Sequence, residues 1–357
     1  MKKTEKEFVI DKRRPQVLFL GNGLCRAYGG ISWNGLLDEL KEKDQYPVDA
    51  KSYLMPLPLK AAMLTNNSLA KKMRNIVMPH DKQDPKVDRY DWTSFIKVTP
   101  EMKVQLIRLI HDQFDYVLTT NYSYEIEAAI LDQKNLSVSQ ISDSMNFYEI
   151  NNAQRKFLLN TYNEVGGIPI WHVHGEARKP DSMIIGNYYY GKLLRRCVER
   201  LDGSNSLSNE NSNKKSTQKS KTNYFKSCIQ QNKPIKIGSW VDAFVLGDVY
   251  ILGFGLDFSE TDIWWLLEYK ANHGDICGNT YFYEPKKETD NRCVNDENII
   301  CKQRTQFVDG NQCRNFLLKN TYRIAVRDLG ITAICNEDYV RFYTHAVEDI
   351  LHSLNKE

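Results

Sequence analysis

The residues able to do chemistry fall in four short stretches, each closing an apolar run. The first is GNGLCRAYGGISW, where Gly21, Asn22 and Gly23 end the run VLFL. Missing side chains let the backbone approach a pyrophosphate, and a helix that follows offers N–H groups to an anion. The spacing is not G-x-G-x-x-G, since Arg26 stands at the third glycine's place, and no Gly-Lys-Ser/Thr follows. A tight strand-to-helix turn without ligand stays equally open. The second stretch is TTNYSYEIE, with Thr119, Thr120 and Asn121 at a strand end, where ligands of open α/β sheets collect. Asn121 has donors and an acceptor for a ribose hydroxyl or a carboxamide. A helix cap is the alternative.

The third stretch is WHVHGE. His172 and His174 alternate with Trp171 and Val173, which predicts that they share one strand face. Two such histidines can ligate a metal, but local spacing supplies no third ligand. His174, next to Gly175 at the strand end, can reach a pocket and act as a base near neutral pH. His172 lies deeper and reads as a hydrogen-bonded core histidine. The fourth stretch is LGFGLDFSETDIWW, in which Gly253 and Gly255 lead to a helix with Ser259 and Asp262 as a capping box. It is either a second phosphate- or ribose-facing turn or a close strand–helix crossing with Trp264 and Trp265 as core.

The elements that must position these residues are strands alternating with helices. QVLFLG, FDYVLTTN, IPIWHVHG, DVYILGFG, TYFYEP and ITAIC (from Ile331) read as buried strands, apolar until a small or polar residue ends each. Trp33, Leu36, Leu37 and Leu40 mark a helix that Ser32 caps. SYEIEAAILDQ and SETDIWWLLEYKAN give two more, and Val340, Tyr343, Val347, Ile350 and Leu354 a C-terminal helix. The expected fold is α/β with a mainly parallel sheet. Residues 41–112 hold prolines and helical patterns without a convincing strand, and read as a helical insertion. Residues 202–233 are rich in Ser, Asn and Lys, and read as a mobile polar loop.

Composition narrows the function classes. A net charge of +3 over 357 residues gives no electrostatic reason to expect nucleic acid. No apolar run reaches membrane-span length, and the charged N-terminus does not read as a secretory signal. None of the eight cysteines is paired as C-x-x-C, so reduced thiols in a cytoplasmic protein are expected rather than a zinc ribbon.

Taken together and in order, the four stretches resemble the sirtuin fold: a glycine loop, T-x-N, His-Gly, then a glycine turn, on successive strands. GNGLCRAYGGISW lies over the sirtuin pattern G-A-G-x-S-x-x-x-G-I-P-x-F-R through Gly21, Gly23, Gly29 and Trp33, and TTNYS resembles T-Q-N-I-D. The resemblance covers roughly residues 15–40 and 112–285, through order and spacing more than identity. Asn34 stands for the loop arginine, Ser123 for the aspartate and Gly255 for the serine of the Gly-Thr-Ser turn, and the zinc module is missing. The chain is therefore similar to the zinc-free bacterial sirtuin-like proteins that hydrolyse NAD+ in antiphage defence, such as those of Thoeris systems.

That resemblance implies a single Rossmann-like domain over residues 1–357, to which the residue pattern of 331–357 adds a C-terminal strand and helix. It implies NAD+ as substrate, no metal, and release of nicotinamide and ADP-ribose. Asn121 and His174 would be the catalytic pair, with Gly21, Asn22, Gly23, Thr120, Gly253 and Gly255 around the nucleotide. It also implies a homo-oligomer, silent until triggered by a partner such as a HerA-type ATPase or an Argonaute. The alternatives are an NAD-dependent protein deacylase and a non-catalytic sensor of NAD+ or ADP-ribose.

Overall fold

The structure is a computed structural model. It describes residues 6–23, 31–43, 57–62, 69–77, 107–110, 113–133, 142–143, 157–203, 220–255, 260–285, 307–308, 312–318, 321–326 and 336–355. The strands in these segments are β1 (Glu7–Phe8), β2 (Gln16–Leu20), β3 (Tyr116–Thr119), β4 (Ser142–Asp143), β5 (Asn163–Val165) and β6 (Ile168–His172). After them come β7 (Ile235–Lys236), β8 (Asp248–Leu252), β9 (Thr280–Pro285), β10 (Phe307–Val308), β11 (Gln312–Leu318) and β12 (Thr321–Val326). The helices are α1 (Trp33–Lys43), α2 (Leu57–Ala62), α3 (Leu69–Val77), α4 (Glu125–Gln133), α5 (Asn187–Asp202), α6 (Lys221–Gln230), α7 (Trp240–Leu246), α8 (Thr261–Asn272) and α9 (Asn336–Leu354).

One sheet carries the fold, in the order β10-β11-β12-β9-β8-β2-β3-β6-β5-β4. Its six central strands, β12 to β6, are all parallel, and the pairs at both edges are antiparallel. Numbered along the chain, the parallel strands lie 3-2-1-4-5-6, so the order reverses between β2 and β8. Ligands of such sheets bind outside the carboxyl ends of the strands at that reversal. β1 pairs with β7 in a separate ribbon.

β2, β3 and β8 are continuous apolar runs because both of their faces are covered. Val17, Phe19, Leu118, Val249 and Ile251 join a core with α5, α6, α7 and α8. Leu18, Leu20, Val117, Ile170, Tyr250 and Leu252 join another with α4 and α9. A third cluster packs Leu36, Leu37 and Leu40 of α1, Ala61 of α2 and Met73 of α3 against Tyr122, Tyr124, Ala177, Met183 and Ile185. The last five residues follow β3 and β6, so the helical insertion roofs the carboxyl end of the sheet. Among the described residues of 41–112 there is no strand. Ser32 caps α1 as expected, its Oγ accepting the Gly35 N–H at 3.0 Å.

One expectation needs correction. Residues 221–230, placed in a mobile loop, form α6, because Phe225 and Cys228 lie one turn apart and enter the core. The hydroxyls of Ser220 and Thr222 tie its start to Leu201 O, at 2.9 and 3.0 Å. Residues 204–219 lie outside the described residues, as does ITAIC. Among the described residues the sixth parallel strand is TYRIAV, which the sequence did not single out, and the antiparallel edge strands were not foreseen either. No helix among the described residues is long and apolar enough to cross a membrane.

Candidate functional site

The segments that follow β2, β3, β6 and β8 meet at the reversal of strand order. Gly21 N–H donates to Leu252 O at 2.8 Å and Gly23 N–H to Gly253 O at 2.7 Å. A Cβ at Gly21 would stand 2.5 Å from Gly253 O and one at Gly23 2.8 Å from the same atom. These glycines let two strand ends cross closely, and their N–H groups bond to backbone rather than facing an anion. A pyrophosphate approaching this backbone, as expected of Gly21, Asn22 and Gly23, would therefore not find the N–H groups of Gly21 and Gly23 free. Asn22, half-buried, lies between them, and Gly255 is exposed with open space around it. Gly253 turns the chain with φ of 67°.

Asn121 joins β3 to this crossing. Its N–H donates to Thr119 Oγ1 at 3.1 Å and its Nδ2 to Gly21 O at 3.3 Å. The residue is 6% exposed, and its Oδ1 has no hydrogen-bond partner among the described residues. Thr120 is half-buried, with its N–H on Leu20 O at 3.3 Å.

The two histidines do not share a face. β6 ends at His172 and the chain turns over the next two residues, with Gly175 N–H donating to His172 O at 2.9 Å. Gly175 has φ of 87°, and a Cβ there would overlap the Ser182 carbonyl, so glycine is required after His174. The turn sends His174 toward α5 and α8. Its Nε2 lies 2.9 Å from Asp262 Oδ2 and its Nδ1 3.4 Å from the Tyr190 hydroxyl. His172 faces α4, with Nε2 2.8 Å from Glu127 Oε1 and Nδ1 2.6 Å from Asn121 O. The expectation of a hydrogen-bonded core histidine thus fits the contacts of His172.

Electrostatics follow from these pairs. Burial pulls the His174 imidazole down, but the Asp262 carboxylate, its hydrogen bond and Glu260 leave it above the ordinary histidine value. Burial opposes protonation of His172 too, yet Glu127, Glu176 and the Asn121 carbonyl lift it to about 9. Glu176 is held at about 2 against burial by Lys179, His172 and the Tyr124 hydroxyl. The Glu176 carboxylate meets Lys179 Nζ at 2.7 Å and the Tyr124 hydroxyl at 2.6 Å.

Asp262, Glu260, Tyr190 and Glu127, which stand beside the two histidines, were not singled out as site candidates in the sequence. Asp262 was taken as half of a capping box, but Glu260 occupies the N-cap of α8 without a capping bond, and Ser259 lies outside the described residues. A carboxylate in a helix's first turn sits well against the dipole and can present itself outward. The only hint of Glu127 was an acid amid Ile126, Ala129 and Ile130; for Tyr190 there was none. His174, Glu260 and Asp262 each offer one ligand atom, all within 4.8 Å of one another, which is the number of protein ligands a catalytic metal takes. An ion there would displace the hydrogen bond between His174 and Asp262. Spacing did not suggest this trio, because His174 and Asp262 are 88 residues apart. Trp264 and Trp265 pack, partly buried, against the core. No protein-family model matches the chain, and no curated protein matches it.

Proposed function

We propose that the chain is a sirtuin-like NAD+ glycohydrolase with a Rossmann-like sheet. The observation that carries this reading is the placement of Asn121 and His174. They follow the adjacent strands β3 and β6 beside the reversal of strand order, one with an unanswered amide oxygen and the other backed by a carboxylate. The 3-2-1-4-5-6 order supports the Rossmann-like assignment.

Cleaving the bond from ribose to nicotinamide leaves an oxocarbenium-like ribose, and departure neutralises the charged leaving group. In this reading Asn121 Oδ1 accepts a hydrogen bond from a ribose hydroxyl or from the attacking water. Asp262 takes the Nε2–H of His174 and leaves Nδ1 as the basic atom, which receives the proton of water or of a ribose hydroxyl. The nearby Tyr190 hydroxyl is placed to pass that proton on. Asn22, Thr120, Gly253 and Gly255 border the nucleotide, and Gly21 and Gly23 shape the crossing beneath it. His174 is 2% exposed and Asn121 6%, which supports an enzyme held closed until a partner triggers it.

Purified protein incubated with NAD+, with and without products of neighbouring genes, tests the reading. Release of nicotinamide and ADP-ribose, lost in His174→Ala and Asn121→Ala, is the expected result. Intact NAD+ under every condition rejects it, and tight NAD+ binding without turnover then favours a sensor.

A further inference from the structure

Asn121 has four polar atoms. Its N–H bonds Thr119, its Nδ2 bonds Gly21 O, and its carbonyl lies 2.6 Å from His172 Nδ1. Only Oδ1 has no partner among the described residues. A side chain so fully fixed, with one buried acceptor left open, is set for a ligand that donates from a hydroxyl or an amide. The strongest of these holds comes from His172. A carbonyl only accepts, so Nδ1 of His172 donates to Asn121 O, and with Nε2 2.8 Å from Glu127 Oε1 the ring bridges the Asn121 peptide and Glu127.

We propose that Glu127 and His172 are positioning residues for Asn121: the Glu127 side chain of α4 orients the His172 ring, and the ring fixes the Asn121 peptide so that Oδ1 stays aimed at the ligand's donor. Glu127 is completely buried, and among the described residues its direct link toward Asn121 runs through this ring. The surroundings hold the ring in place from other elements. The Tyr124 ring lies 5.2 Å away, Asn163 of β5 donates to Glu176 at 3.0 Å and to Glu127 at 3.5 Å, and Lys179 balances Glu176. A small polar cavity lined by Thr161, Tyr162, Asn163, His172, Glu176 and Ser182 borders the ring, which keeps its place through its two hydrogen-bond partners.

The kinetic arm of the test rests on the NAD+ reading; the spectroscopic arm does not. Full-length Glu127→Leu, Glu127→Gln and His172→Gln would be assayed for nicotinamide release from NAD+. The same proteins, labelled with 13C at asparagine carbonyls, report the Asn121 carbonyl directly. Glu127→Leu is expected to lower kcat about ten- to a hundredfold with KM little changed, since misplacement by about an ångström has effects of that order. Glu127→Gln keeps an acceptor for the ring and recovers part of the rate. The Asn121 carbonyl signal shifts in all three variants. Wild-type kcat in folded Glu127→Leu, or an unmoved Asn121 signal, overturns the proposal. If Glu127→Leu does not fold, Glu127→Gln decides by the same two readouts. If the wild-type protein leaves NAD+ intact, the glycohydrolase reading fails and the Asn121 signal alone decides the positioning role.

Discussion

His172 and His174 stand two residues apart and turn to opposite sides of the sheet, each against its own buried carboxylate: Glu127 of α4 at 2.8 Å and Asp262 of α8 at 2.9 Å. The turn at Gly175 makes this possible, because a continued strand would put both rings on one face. One pair then bears on the Asn121 backbone and the other on the imidazole proposed as base.

Removing either proposed catalytic group should end turnover without unfolding the chain. His174→Ala and Asn121→Ala are expected to lower nicotinamide release by at least about a hundredfold, the usual contribution of a positioned base. Chromatography of NAD+ incubations measures this, with circular dichroism as the check on folding. A folded His174→Ala variant with wild-type turnover would contradict the assignment.

Asp262→Asn should lower the His174 pKa, because the carboxylate is what outweighs burial there. A base works deprotonated, so the wild-type rate should climb as pH rises through a value above the ordinary histidine one. In Asp262→Asn that limb should move to lower pH, with a smaller plateau because the asparagine stabilises the imidazolium less. The pH profile of kcat/KM, with NMR titration of His174, reads both effects.

Stability should fall on both sides of neutrality, for opposite reasons. His172 is raised from 6.5 to about 9, so its contribution is full below about 6.5 and disappears as pH rises through 9. A difference of that size corresponds to on the order of 3 kcal/mol. Glu176 is lowered from 4.5 to about 2, so its contribution is present above 4.5 and is lost as pH falls through 2. Urea midpoints across pH measure this, and His172→Gln should flatten the alkaline limb.

Lys270 is completely buried on α8, and its Nζ donates to Phe244 O, Gly247 O and Asn279 O at 2.9, 3.0 and 3.1 Å. Two of these carbonyls, Phe244 O and Gly247 O, lie at the end of α7 and would otherwise be unanswered among the described residues, while burial pulls the Lys270 amine down to about 7. Lys270→Met leaves those carbonyls without their donor and should cost about 2–5 kcal/mol in urea unfolding. A loss under about 1 kcal/mol would mean that water replaces the ammonium.

Much of the sheet was legible in the chain. The first five parallel strands are apolar runs bounded by small or polar residues, a pattern that needs only both faces to be covered. TYRIAV and QCRNFLL carry arginines in the strand and gave no such run, so the sixth parallel strand and its antiparallel neighbour escaped notice. Lys221–Gln230 was hidden by its polar neighbours, since two buried residues one turn apart are too few to outweigh a Ser-, Asn- and Lys-rich composition.

At the site, sequence alone picked out the strand ends: Gly21 and Gly23, Asn121, His174, and Gly253 and Gly255. Residue type and local order suffice there, because glycine permits a close crossing and a polar residue after a buried strand emerges at its carboxyl end. Tertiary structure decided what each of them faces. It bonded the N–H groups of Gly21 and Gly23 to the end of β8 and the glycine after it, rotated His174 away from His172, and brought Asp262 to His174 across 88 residues. It also set Glu127 behind Asn121 through His172. Such pairings follow from strand order and from the direction of one turn, and neither is encoded in the spacing of the residues that meet.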